Sequence, residues 1–277
     1  MPAGCRYPPA VPDTPARTIK GRLQTLAGRV AGIRRLAARV DHLERELREV
    51  DLRLQRKIED LESRLLESQD ALRQRSKRRW AASPPDANLT WGRALTGEAF
   101  VEQALRHFTP SEDSAILELG PGYGRLLQAF LSRGLPFRSY LAVDLSPLVL
   151  DHLRERFPDP RIAFVQGDLE DLPAGDAVDL AWSALTFKHL FPSIERALEG
   201  LAHRLAPGGV AIFDLREGEE RYFEDDGVTF VRAYRRDELP ELVRQAGLEL
   251  EAIDTVRHDP QSPESERLLV VARRPRK

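Results

Sequence analysis

Ala115-Ile116-Leu117-Glu118-Leu119-Gly120-Pro121-Gly122-Tyr123-Gly124-Arg125 is the stretch from which the rest of the chain can be read. Ala115 to Leu119 is a short apolar run with one acid, as expected of a buried parallel strand. Three alternating glycines follow, and they let the backbone turn sharply and approach a ligand where a side chain would collide. Arg125 through Arg133 then starts a helix, with Leu126, Leu127, Phe130 and Leu131 at helical spacing. A plain tight turn is the bland alternative.

Spacing separates this loop from the dinucleotide fingerprint G-x-G-x-x-G, which also joins a first strand to a first helix. Here the glycines run G-x-G-x-G, Arg125 stands where a dinucleotide fold wants glycine, and Glu118 precedes the first glycine by two residues. Downstream, Tyr140 to Ser146 forms a second apolar strand with an acid, Asp144, about twenty residues past the glycines, where a carboxylate can accept both hydroxyls of a ribose. Ile162 to Leu169 reads as a third strand ending at Asp168, and Val178 to Ser183 as a fourth. Leu205-Ala206-Pro207-Gly208-Gly209 closes a helix and leads into a fifth, Val210 to Leu215. Any one of these acids could be a helix cap or a turn residue. Three successive strands ending in an acid or a glycine loop agree in order and spacing, as independent turns would not, and they do so on the edge where open α/β sheets bind ligands.

These motifs resemble those of the class I S-adenosylmethionine-dependent methyltransferases, with Glu118 to Gly124 similar to motif I and Leu205 to Gly209 similar to the L-x-P-G-G signature. The resemblance implies S-adenosyl-L-methionine as cofactor. It implies a donor site of Glu118, Gly120, Gly122, Tyr123, Gly124, Asp144, Leu145, Asp168, Leu169 and Ser183, with Asp168 accepting from the adenine amino group and the Leu169 backbone meeting the ring. Trp91-Gly92-Arg93-Ala94-Leu95-Thr96-Gly97-Glu98 corresponds to a region that often forms a lid in that family. There Arg93 could meet the donor carboxylate; capping of the next helix by Thr96 is the alternative.

Helical patterns at about 97–107, 125–133, 147–156, 192–205 and 236–246 alternate with short apolar strands, which predicts an α/β, Rossmann-like sheet with helices on both faces. Thr229 to Ala233, Leu248 to Thr255 and Arg267 to Ala272 supply the remaining strands. By resemblance the order is 3-2-1-4-5-7-6, a seven-stranded methyltransferase sheet whose seventh strand is antiparallel.

The first third of the chain is a different object. Leu26, Ile33, Val40, Leu47, Leu54 and Leu61 recur at every seventh position, the signature of a coiled-coil seam. The partner stripe changes phase: Leu23, Val30, Ile58, Leu65 and Leu72 share one heptad position, and Leu36, Leu43 and Val50 another. A continuous helix of about 75 Å for fifty residues is expected, its seam buried against the same segment of another chain, with fold-back onto the following domain as the alternative. The expected organisation is a tail at 1–16, a coiled-coil helix at 17–80, a linker at 81–88 and a methyltransferase domain at 89–277.

Charge divides along the same boundary. Residues 1–80 hold 19 Lys and Arg against 11 Asp and Glu, a net of +8, whereas residues 81–277 hold 23 against 33, a net of −10. The basic run Arg73, Arg75, Lys77, Arg78 and Arg79, followed by Trp80, is a candidate contact for anionic lipid, a nucleic-acid backbone or the acidic domain beside it; a solvated helix end complementing the macrodipole is the alternative. The single cysteine excludes an internal disulfide and a cysteine-based zinc site, no metal-ligand spacing is present, and the lack of a long apolar segment predicts a cytoplasmic chain.

Methyl transfer from a sulfonium requires alignment of donor and acceptor, exclusion of water and, for a hydroxyl acceptor, removal of a proton. His189, Asp214, Glu217 and Tyr222 are the candidate bases. His189 is favoured because an imidazole titrates near working pH, the alternative being a packing histidine. Trp182-Ser183-Ala184-Leu185 is not the Asp/Asn-Pro-Pro-aromatic sequence of base N-methyltransferases, and no Pro-Cys pair is present. An acidic domain gives no strong nucleic-acid signal. A small molecule or a glycan is therefore the expected acceptor, with O-methylation preferred, and the arrangement resembles methyltransferases of cell-surface glycan biosynthesis. The alternative from another class is a coiled-coil scaffold whose methyltransferase domain only binds the cofactor.

Overall fold

The computed structural model describes residues 15–85 and 95–276. The tail at 1–14, and Trp91 and Arg93 within 86–94, lie outside the described residues. By internal contacts the chain divides into two units, Met1–Glu67 and Ser68–Lys277.

The described residues of the first unit are helical. Helix α1, Pro15–Ala81, runs through it and continues into the second unit. Ion pairs at i, i+4 spacing, Arg48 with Glu44, Arg53 with Glu49 and Arg64 with Asp60, lie along its surface. The heptad residues face solvent: Leu26 is 61% exposed, Ile33 65% and Leu47 70%. No helix among the described residues is long and apolar enough to cross a membrane.

In the second unit, α2 (Glu98–Ala104) leads to β1 (Ala115–Leu119), α3 (Arg125–Ser132), β2 (Ser139–Asp144), α4 (Pro147–Arg156), β3 (Ile162–Gln166) and β4 (Val178–Ser183). The chain continues through α5 (Glu195–Arg204), β5 (Leu205–Glu217), β6 (Arg221–Phe223), β7 (Phe230–Tyr234), α6 (Leu239–Gln245), β8 (Glu249–Arg257) and β9 (Glu266–Arg273). Strands β3, β2, β1, β4 and β5 are parallel neighbours in that order. Strand β9 then pairs antiparallel with β5 and with β8.

The sheet departs from the seven-stranded expectation. Nine strands are present among the described residues, because β5 runs for thirteen residues and forks. Its middle pairs with β9, and its end, Arg216 and Glu217, pairs with β7 of a β6–β7 hairpin. The start of β5 also differs. Leu205 already pairs with Val178 across a bulge, so the Pro-Gly-Gly segment belongs to the strand and not to the helix end. A Cβ on Gly209 would lie 2.9 Å from both the Ala206 and Val178 carbonyl oxygens, so only glycine fits this close approach.

Successive residues of a strand point to opposite faces, and β1 serves two cores in this way. Ile116 packs with Phe100, Phe130, Leu150, Tyr140 and Trp182 beneath α2, α3 and α4. Leu117 and Leu119 pack with Leu198, Leu201, Leu239 and Val243 beneath α5 and α6. With both faces covered, the exposed part of each parallel strand is its carboxyl end, and the candidate site lies there.

Candidate active site

The loop between β1 and α3 is held open by three residues in the left-handed region, Gly120 at φ 66°, Gly122 at 53° and Gly124 at 85°. Gly120 and Gly124 are needed for packing as well. A Cβ on Gly120 would sit 2.6 Å from the Thr186 side chain, and one on Gly124 would sit 2.7 Å from Leu153. Gly122 differs: a Cβ there would meet nothing within 4 Å. Its bare backbone borders a cavity, so the loop has the form of a cradle.

That cavity brings together the glycine loop, Tyr123, Asp144, Leu145, Asp168, Leu169 and His189. Asp144 ends β2 and accepts the Ser146 backbone N–H at 2.9 Å. Burial pushes its carboxyl up to about 6, against the backbone N–H groups of Ser146, Gly122 and Leu145, which favour the charged form. Asp168, just beyond β3, accepts the Glu170 backbone N–H at 2.9 Å. Its other oxygen lies 2.6 Å from the Lys77 ammonium.

Residues near the end of α1 complete the wall. Arg73, Ser76, Lys77 and Trp80, which share one helix face, line the cavity opposite the sheet edge. Arg73 donates to the Phe191 carbonyl at 3.1 Å, and the Ser146 hydroxyl donates to the Ser83 carbonyl at 2.7 Å. The basic run at 73–79 is therefore not one solvated collar. Arg73 and Lys77 turn inward, Arg79 lies 3.6 Å from Asp226, and Arg75 and Arg78 are exposed.

His189 stands on a short 3-10 turn after β4, with its ring centroid 4.7 Å from that of Trp80. Its Nδ1 lies 2.7 Å from the Phe230 carbonyl oxygen, which can only accept, so Nδ1 carries the proton and Nε2 is left as an acceptor. Burial, then the positive charges of Lys188 and Arg79, lower its pKa to about 3 despite the Phe230 carbonyl and Asp214. Burial thus favours the neutral imidazole.

Residues 116–209 match the family described as a methyltransferase domain. Malonyl-[acyl-carrier protein] O-methyltransferase of Priestia megaterium is 32% identical over 103 residues, which span 37% of this chain and 37% of that enzyme. The chain thus spans well under two thirds of that curated relative. The solved 1,6-didemethyltoxoflavin-N1-methyltransferase of Burkholderia thailandensis, with S-adenosylhomocysteine bound, superposes with a TM-score of 0.54 at 23% identity, covering 67% of this chain and 80% of that one. The glycopeptide N-methyltransferase MtfA, also complexed with S-adenosylhomocysteine, gives 0.52 at 20% identity, covering 65% and 90%.

The fold is that of the class I S-adenosylmethionine-dependent methyltransferases.

In this methyltransferase fold the expected donor residues divide into two groups. Gly120, Gly122, Tyr123, Asp144, Leu145, Asp168 and Leu169 line one cavity. Glu118, Gly124 and Ser183 stand behind it. Glu118 faces the α3 side of the sheet and accepts the Tyr140 hydroxyl at 2.5 Å, and that hydroxyl accepts the Trp182 indole N–H at 2.9 Å. Burial raises Glu118 to about 7, with the Tyr140 hydrogen bond and the Arg125 charge opposing. Ser183 donates to the Leu119 carbonyl at 2.7 Å, and Gly124 is the N-cap of α3.

Beside the cavity lies a buried pair that joins Asp214, one of the expected bases, to His258, a residue with no sequence motif around it. Asp214 on β5 accepts from His258 after β8, and both are buried. Asp214 also accepts the Leu185 backbone N–H, and Leu185 lines the cavity at φ 61°. Burial raises the Asp214 carboxyl, but the charge and hydrogen bond of His258 and the Leu185 N–H outweigh it and hold the group below its ordinary value. Asp214 thus supports the wall, and of the other expected bases Glu217 pairs with Arg236 at 2.8 Å and the Tyr222 hydroxyl accepts from Arg216 at 3.1 Å.

Proposed function

We propose that this protein transfers the methyl group of S-adenosyl-L-methionine to a hydroxyl of a small molecule or glycan. The observation that carries this is the meeting, around one cavity, of a glycine backbone with open space at Gly122 and two strand-end carboxylates, Asp144 and Asp168. The residues fit the donor: Asp144 can accept both ribose hydroxyls, Asp168 an exocyclic amino group, and Leu145 and Leu169 offer apolar contact to a base. When bound, the donor supplies an electrophilic methyl carbon. With that donor held there, an acceptor oxygen would take the methyl group with loss of the carbon–sulfur bond, and the hydroxyl proton would pass to His189 Nε2 or to solvent.

The chain's own contribution is mainly alignment and exclusion of water. Trp80, Leu190 and Phe191 give the far wall an apolar surface. His189 Nε2 is the candidate to accept the acceptor's O–H, so that a neutral imidazole orients the oxygen and takes up its proton only as the bond forms. Trp182-Ser183-Ala184-Leu185 lacks an amine-holding motif, and the Priestia megaterium relative is named as an O-methyltransferase, both of which support oxygen as the acceptor atom.

Self-association through α1 belongs to the same reading, supported by the exposed seam from Leu26 to Leu65. Sedimentation of the full chain should give an oligomer, and Leu47→Glu with Leu54→Glu should give a monomer. A monomeric wild type would contradict self-association. Incubation with donor and a panel of sugars, phenols and lipid-linked glycans, followed by mass measurement, tests the activity. A product 14 Da heavier is expected, and transfer to amines alone would overturn the O-methyl assignment.

A further inference from the structure

Lys77 lies within α1, four residues beyond Arg73 on the same helix face, and its ammonium joins two carboxylates of the β3–β4 connection. It lies 2.6 Å from Asp168 Oδ2 and 2.6 Å from Glu170 Oε2. The Glu170 side chain is only 2% exposed. Its other charged neighbour is Arg73, whose Nε is 3.6 Å from Oε1, beyond hydrogen-bond distance, and Glu170 Oε1 has no hydrogen-bond partner among the described residues. A buried carboxylate requires a compensating charge, and Lys77 is the group that contacts it directly.

The two acids are also linked to each other. The Glu170 backbone N–H donates to Asp168 Oδ1 at 2.9 Å, so that oxygen is fixed by the turn and the other by Lys77. Each carboxylate oxygen has two lone pairs, so Asp168 keeps acceptor capacity toward the cavity while its plane is held on both sides. Without the ammonium, Asp168 would face a Glu170 carboxylate balanced only by Arg73 at 3.6 Å, and like charges this close repel.

We propose that Lys77 is a positioning residue of the donor site, and that it holds Asp168 oriented to accept the amino group of adenine. This rests on the donor assignment above. It makes the last turns of α1 part of adenine selection, on the far side of the expected helix–domain boundary.

Calorimetric titration of the full chain with S-adenosylhomocysteine and with its 6-oxo analogue, S-inosylhomocysteine, tests this. The analogue presents a carbonyl where adenine presents an amino donor, and an N1–H where adenine presents an acceptor, so the ratio of the two affinities reads this edge of the base and its change between wild type and the Lys77 variants reads the Asp168 contact. Wild type should favour S-adenosylhomocysteine. Lys77→Met should weaken it by about tenfold or more and bring the ratio toward one, and Lys77→Arg should restore much of the preference. Glu170→Gln in a Lys77→Met background removes the stranded charge and should recover part of the ratio, which keeps the test available if the single variant folds poorly. An equal loss for both ligands would show a merely structural lysine and overturn the proposal, as would tighter binding by Lys77→Met. A wild type that binds neither ligand would refute the donor site itself.

Discussion

Asp214 accepts the backbone N–H of Leu185 at 2.6 Å, and by this bond the fifth strand fixes the turn that follows the fourth. Leu185 is a non-glycine residue in the left-handed region, a conformation that persists only when its surroundings hold it. Asp214 is itself paired with His258, so a residue near the end of the chain supports the wall of a site that begins at Gly120. Replacing Asp214 by Ala should leave His258 and the Leu185 N–H unpaired in the core. A loss of about 3–5 kcal/mol is expected in urea unfolding, and an unchanged midpoint would remove Asp214 from this role.

Gly122 and Gly120 should respond differently to a methyl group. At Gly122 there is open space, so Gly122→Ala should cost about 1 kcal/mol of backbone strain and weaken the donor product at least roughly tenfold by intruding on the cradle. At Gly120 the added carbon meets Thr186, so Gly120→Ala should act chiefly on stability. Paired calorimetry and thermal melts would separate the two. Equal donor affinity in Gly122→Ala and wild type would place the ligand elsewhere.

Glu118 links stability to pH. Its carboxyl is raised from 4.5 to about 7, chiefly by burial, so folding favours the protonated form. The stabilisation is fully present below pH 4.5 and is lost as pH rises through about 7, a change on the order of 3 kcal/mol. Glu118→Gln keeps an acceptor for the Tyr140 hydroxyl and cannot ionise. Urea midpoints at pH 5 and 8 should therefore differ less in the variant than in wild type, and parallel shifts would show that Glu118 ionises freely.

Much of this arrangement was legible in the sequence for identifiable reasons. Parallel strands covered on both faces are largely apolar, which is why Ala115 to Leu119 and Val178 to Ser183 could be located from composition, and the acids Asp144, at the end of β2, and Asp168, just past β3, stood out against such runs. Extending β5 back to Leu205 depends on a bulge opposite Val178 and Leu180, which no local propensity records. The part played by α1 was hidden by distance. Lys77 and Asp168 are 91 residues apart, and a lysine within a basic run reads as solvated until a buried partner is seen. Charge type was visible in the chain, whereas burial is a property of the folded whole.

His189 should be important for turnover and silent in the neutral pH range. Its pKa of about 3 places any ionisation step far below the 6.5 of a free imidazole. His189→Ala should lower turnover while leaving donor affinity nearly intact, and the wild-type rate should show no His189 step between about pH 5 and 8. A step near 6.5 that disappears in the variant would contradict the buried, neutral ring.

The most direct measurement is a crystal structure of the full chain grown with S-adenosylhomocysteine. The ligand is expected along the backbone of Gly120 to Gly124, with its ribose on Asp144 and its adenine between Leu145 and Leu169 beside Asp168. A well-ordered protein with that rim empty at saturating ligand, or with the ligand bound away from Asp144 and Asp168, would contradict the account.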